Sequence, residues 1–224
     1  MASLNKGIII ASTIGAGGIG AGSYYGYHTF NKETKDHQQK PPIVNIGSKL
    51  KSEKYTLLKA DSKNFNEVLT NYKTSIKSPD TPDFEGFNGE GKDNETAEAI
   101  LLRHCQTILK NEKLDSGDYA KAKKWCVEPI TVTSLLKARG VTALEIADSP
   151  GELQTQWSNK VKAYRSSQES RIEGLAFTSS KETSPTSDEI TNIKNSCKGI
   201  KDKKNHEDKF EENLKAFKAW CSNN

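Results

Sequence analysis

Cysteine is the residue type with most scope for chemistry in this chain, and its spacing is regular. Cys105 is followed by Trp125-Cys126, and Cys197 is followed by Trp220-Cys221. Four thiols can bind zinc, attack a substrate, pair as disulfides, or lie buried as small hydrophobes. Zinc is disfavoured, because no close Cys or His pair has the spacing of zinc ligands. A Cys–His nucleophile is disfavoured too: His104 adjoins Cys105, and neighbours on a helix point in different directions. No paired carboxylates, phosphate loop or catalytic triad accompany them, so the chain is read as non-enzymatic, with no cofactor.

Antiparallel helices joined by a turn bring together residues equidistant from that turn. The midpoint of Cys105 and Cys126 falls between Asp115 and Ser116, on a break at Ser116-Gly117. The midpoint of Cys197 and Cys221 is Lys209, just after the polar run Asn205-His206-Glu207-Asp208. Each pair can face across its own hairpin. A disulfide there would close a loop of just over twenty residues and stabilise the fold by roughly 3 kcal/mol. Two matched pairs fit an oxidising compartment; buried free thiols remain the alternative.

Hydrophobic periodicity supplies the supporting helices. Phe65, Leu69, Tyr72 and Ile76 form one stripe, with Asn64 and Glu67 as a capping pair. Ser78 to Asn94, with two prolines and three glycines, reads as a loop. Leu101, Cys105 and Ile108 form a second stripe, and Tyr119, Ala122 and Cys126 a third. Ordered structure is expected from about Leu57. Further on, Thr131 to Arg139 with Gly140 reads as a short helix with a glycine stop. Ser149-Pro150-Gly151-Glu152 reads as a capping box, and Ile190, Ile193, Cys197 and Ile200 as a narrow seam. Phe210, Leu214, Phe217 and Cys221 form its partner.

These elements recur in order. Pro42-Ile43 matches Pro129-Ile130, and Ala60-Asp61-Ser62 matches Ala147-Asp148-Ser149, both at an offset of 87. Phe65, Leu69, Tyr72, Lys73 and Ser75 match Trp157, Val161, Tyr164, Arg165 and Ser167 at 92, as Cys105 matches Cys197. Lys123, Trp125 and Cys126 match Lys218, Trp220 and Cys221 at 95. Phe84-Glu85-Gly86-Phe87 is echoed by Ile172-Glu173-Gly174-Leu175, but at 88, which breaks the order. The expected fold is all-α: two tandem copies, 42–126 and 129–221, of a three-helix unit ending in a Cys…Trp-Cys hairpin. Trp125, Trp157, Trp220, Tyr72 and Tyr164 are its expected core aromatics. Exposed tryptophans anchoring a partner are the alternative for the two beside cysteine.

The first thirty residues are of another kind. No charge occurs from Gly7 to Tyr27, a run of 21 residues, which suffices to cross a bilayer as a helix. Tyr24, Tyr25 and Tyr27 would meet the headgroups. Gly18, Gly22 and Gly26 would allow close helix packing and self-association. A cleaved signal peptide is the alternative, but the uncharged span exceeds a typical signal core. Residues 31–41 read as a polar, flexible linker. Lys32, Lys35 and Lys40 outnumber Lys6 and favour a cytoplasmic C-terminal region; the paired cysteines favour an external one, which is the expectation adopted.

The 33 basic and 29 acidic residues are interleaved, giving a net charge of +4 and the pattern of a solvated surface. Nucleic-acid binding would need basic residues on one face. The Lys-rich run from Lys194 to Lys218 carries five acidic residues and reads as solvated helix faces. Mean hydropathy is −0.74, so the core must be small and rich in the aromatics present.

The Gly/Ala-rich leader, Tyr55-Thr56-Leu57-Leu58, Tyr72-Lys73, Lys124-Trp125-Cys126, Trp157 and Trp220-Cys221 together give the chain a family likeness. It resembles, over essentially its whole length, the uncharacterised paralogous membrane and surface proteins of haemotropic mycoplasmas. Phe65, opposite Trp157 of the second copy, departs from the expected aromatic and touches only packing detail. The resemblance implies a multicopy, variable, surface-displayed protein without assigned enzyme activity or cofactor, and supplies no catalytic or binding residues. Its expected partners are the membrane, through the N-terminal segment, and host surface factors or antibodies. An internal membrane-tethered scaffold is the alternative.

Overall fold

A computed structural model describes residues 44–114, 117–146 and 152–223. The leader with Gly18, Gly22 and Gly26, the 31–41 linker and Pro42-Ile43 lie outside the described residues. So do the break at Ser116, Ala147-Asp148-Ser149 and the Ser149-Pro150-Gly151 helix start. Among the described residues no helix is long and apolar enough to cross a membrane.

The described chain is mostly helical. The helices of its first half are α1 (Ile46–Ser52), α2 (Phe65–Ser75), α3 (Ala97–Ile108) and α4 (Gly117–Trp125). Those of the second half are α5 (Val132–Ala138), α6 (Glu152–Ser166), α7 (Ser187–Ile200) and α8 (Phe210–Trp220). Two short strands, β1 (Thr142–Ala143) and β2 (Ser222–Asn223), pair antiparallel, with Thr142 opposite Asn223 and Ala143 opposite Ser222.

Each half thus has four helices where periodicity yields three. The unforeseen one is α1, which begins eleven residues ahead of Leu57. It holds one apolar step of four, Ile46 to Leu50, which is too little for a stripe. Its ends and its neighbours explain it instead. Asn45 and Ser48 close a capping box. Ile46 and Gly47 donate their amides to the carbonyls of Asn111 and Leu109, just past α3 (both 2.9 Å). At the start of α5, Val132 and Thr133 donate to Lys203 and Lys201 just past α7 (2.9 and 3.1 Å).

Capping fixes three other helix starts, that of α5 through Thr131, which accepts from Ser134 N–H. Thr96 accepts from Ala99 N–H, and Thr186 forms a capping box with Glu189. The expected Asn64–Glu67 pair does not form. Asn64 makes no side-chain cap and donates to Glu128 instead (2.7 Å), while Glu67 accepts from Lys204 (2.6 Å). A charged acceptor and donor from elsewhere in the fold win over the local cap.

The closely packed helix pairs each lie within one half: α3 with α4, α2 with α3 and α1 with α4, then α7 with α8, α6 with α7 and α5 with α8. Trp125, Trp157, Tyr72 and Tyr164 are the largest fully buried side chains. The reading of 194–218 as solvated faces fails at Lys194, which is buried. It sits three residues before Cys197, on the seam of α7, where its aliphatic stem takes core space.

Candidate functional site

Both expected disulfides are formed. Cys105 joins Cys126 and Cys197 joins Cys221, with Cα atoms 5.3 and 5.7 Å apart and all four residues fully buried. Each bond joins the last turn of a hairpin's first helix, α3 or α7, to the residue that follows its second, α4 or α8. Next to it a main-chain bridge ties the hairpin to the segment ahead of α2 or α6: Leu58 N–H to Cys126 O (3.0 Å), and Leu144 N–H to Cys221 O (2.8 Å).

The tryptophans beside the clamps are buried, which removes the exposed-anchor alternative. The Trp125 indole donates to Pro82 O (2.6 Å) and that of Trp220 to Ser170 O (2.7 Å). Each stands edge-on to a tyrosine at 4.9 Å, Trp125 to Tyr72 and Trp220 to Tyr164. Trp157 donates to Glu145 O (3.0 Å), a bond that Phe65 at the matching position cannot make.

Tyr72 and Tyr164 lie deep in the core, each gripping a turn. The Tyr72 hydroxyl accepts from Phe84 N–H (2.8 Å) and donates to Phe87 O (3.1 Å). That of Tyr164 accepts from Ile172 N–H (3.1 Å) and donates to Leu175 O (3.0 Å). The tetrapeptides that look out of order in sequence therefore make the same contacts. In both, the third residue is a glycine in the left-handed region, Gly86 at φ 73° and Gly174 at φ 74°, as such a turn requires. Burial, only partly offset by the Phe84 hydrogen bond, pushes the Tyr72 phenol up to about 12. It stays protonated and able to donate.

On the far side of the first turn lies a cleft of about 890 Å³. Its apolar wall is Phe84, Phe87 and His104, with the His104 ring stacked on Phe84 at 5.0 Å and 17°. Burial, then the nearby Arg103 charge, holds His104 below the ordinary imidazole pKa, so the wall is neutral at pH 7. The rim is acidic. Glu95 is taken by Arg103 (2.8 Å) and Glu90 by Lys73 (2.8 Å), whereas Asp83, Glu85 and Asp93 have no ion pair among the described residues. The second half has Ile172, Leu175 and Ser196 at the positions of Phe84, Phe87 and His104, and Glu173 is paired with Lys209. The wall and the acidic rim belong to the first half alone.

A second feature is the turn at 204–208, which the sequence marks as a polar break without revealing its contacts. Asn205 binds Ile130 N–H through its side-chain oxygen (2.8 Å) and the carbonyls of Lys123 and Lys124 through its amide. Lys204 reaches Glu67 in α2, and Asp208 reaches Lys124 in α4 (2.9 Å). Arg139 donates to Glu53 O and Lys123 pairs with Glu211, completing a polar junction between the halves. One signal was available: the cysteines are 24 apart in the second hairpin against 21 in the first, an excess shared between the connection and α8.

Among the described residues no group of three or more His, Cys, Asp or Glu is placed to hold a metal ion. Comparison with known protein families, with curated proteins and with solved structures finds no match for this chain.

Proposed function

We propose that the protein is a membrane-anchored, surface-displayed interaction protein without enzymatic activity, whose external region is a duplicated disulfide-clamped helical unit. The observation that carries this reading is the pair of buried disulfides in matching hairpins. They stabilise the fold only in an oxidising medium, which lies outside the cytoplasm. The uncharged N-terminal run supports the anchor, and the haemotropic mycoplasma resemblance supports surface display and variation. Duplication is supported by the equivalent tyrosine, tryptophan and main-chain contacts of the two halves. The first-half cleft is the face best suited to a partner, since its unpaired carboxylates complement a lysine- or arginine-bearing segment.

Protease treatment of intact cells, followed by mass spectrometry of unreduced peptides, tests the reading. The expected result is cleavage within 44–223 without lysis, and peptides linked Cys105–Cys126 and Cys197–Cys221. Protection until lysis, with all four thiols alkylated without reductant, would instead establish the internal scaffold that lysine counting favours.

A further inference from the structure

We infer that the turn at 204–208 is a proton-operated clasp: protonation of His206 loosens the turn from α2, α4 and the segment at Ile130. The tight helix pairs all lie within a half, the buried apolar side chains of both halves form one core, and the polar contacts between the halves gather around this turn. Lys204 and His206 reach Glu67, Asn205 reaches the end of α4, Asp208 reaches Lys124, and Arg139 reaches Glu53. Releasing the turn's own contacts leaves the shared core and both disulfides in place.

His206 sits at the centre of this junction, 3 % exposed. Its Nδ1 has no hydrogen-bond partner, and its Nε2 lies 3.6 Å from Glu67 Oε1. The charged groups facing it are Glu67 from α2, Lys124 from α4, and Lys204 and Glu207 from its own turn. Both carboxylates are engaged. Glu67 already holds Lys204 Nζ at 2.6 Å, and Glu207 takes Lys203 Nζ (2.8 Å) and Lys204 N–H (2.9 Å).

An imidazolium here would bring a second cation to Glu67, beside Lys124, with its new proton facing no acceptor. Solvated, the same imidazolium is at ease. Burial accordingly lowers the His206 pKa by more than Glu67 raises it. A group whose pKa is depressed in the closed state favours that state above its ordinary pKa and opens it as pH falls. The first hairpin has no histidine in its turn, so the device belongs to the second hairpin alone. This inference is independent of the proposed function.

Hydrogen exchange on the full chain in detergent tests it. Protection is compared at about pH 7.5 and about pH 5.5, either side of the ordinary imidazole value, after correction for intrinsic exchange. The expected result is a drop of about tenfold in protection of the Ile130 and Asn205 amides, with α3 and α7 changed far less. His206→Gln abolishes the drop, while His104→Gln keeps it. An NMR titration of the His206 ring in the unmodified chain must share its midpoint with the loss of protection, which keeps the test valid even if the Gln variant fails to fold. Unchanged junction protection overturns the proposal. So does a uniform loss across both halves, a mismatch of midpoints, or a drop that survives in a folded His206→Gln protein.

Discussion

Removing one oxygen atom from Tyr72 tests the account of the core directly. Tyr72→Phe keeps the buried ring and its edge contact with Trp125, and takes away a hydroxyl that serves two main-chain groups of the turn. Phe84 N–H (2.8 Å) and Phe87 C=O (3.1 Å) lose their hydrogen-bond partner, at residues almost wholly shielded from water. Each orphaned buried group costs about 1–3 kcal/mol, so the substitution should destabilise by about 2–6 kcal/mol. Tyr164→Phe is the internal control. It orphans Ile172 N–H in the same way, but Leu175 O keeps a contact with Arg171 (3.4 Å) and Leu175 is only partly buried. One orphan instead of two gives about 1–3 kcal/mol, half the cost. Urea unfolding of the full chain in detergent, followed by both circular dichroism and tryptophan fluorescence, measures the two shifts, and coincident curves establish cooperativity. A Tyr72→Phe cost below about 1 kcal/mol, or one no larger than that of Tyr164→Phe, would refute the idea that these hydroxyls hold the turns.

Two further outcomes are expected. Replacing either cysteine pair by alanine should cost about 3 kcal/mol, and loops of 21 and 24 residues are so close that the two entropic costs differ by only about 0.1 kcal/mol. Urea midpoints of C105A/C126A and C197A/C221A check this, and a loss in either under about 1 kcal/mol would contradict it. At low pH the capping carboxylate of α7 should matter. Burial pushes the Glu189 pKa up, but hydrogen bonds from Thr186, Arg165 and Ser179 and the Arg165 charge hold it below the ordinary value of 4.5. A folded-state pKa that is depressed means stability present above that value and lost as pH falls through the folded one. Glu189→Gln should therefore be less stable than the parent near neutrality and should flatten the acid limb of a stability–pH curve; an unchanged limb counts against the assignment.

What could be read in advance follows from where the determinants lie. The seams of α7 and α8 repeat every three or four residues, and equidistance from a turn pairs cysteines whatever the surroundings. The seven-residue α1 escaped because its stability comes from a cap and from two amides given to another helix end. Asn64 and Glu67 have the right spacing for a cap, yet Glu128 and Lys204, distant in sequence, take them. The echo of Phe84-Glu85-Gly86-Phe87 looked displaced because the tyrosine that holds the turn lies 12 residues upstream in the first half and 8 in the second. Residue counting registers that shift, whereas the hydroxyl fixes only the turn. The acidic cleft needed the folded loop, since its carboxylates come from separate positions between Asp83 and Glu95.

The anchors of the long loops have one property in common. Tyr72 and Tyr164, Trp125 and Trp220 all grasp main-chain atoms: the amides of Phe84 and Ile172 and the carbonyls of Phe87, Leu175, Pro82 and Ser170. A peptide group is common to every residue, so this grip is blind to side-chain identity, save for the glycine each turn demands. Apart from Gly89 and Gly91, where a Cβ has no room, and Phe177, which packs on Tyr164, residues 88–95 and 176–185 can thus exchange their side chains while the scaffold stays put. The molecule separates what must be inherited from what is free to drift.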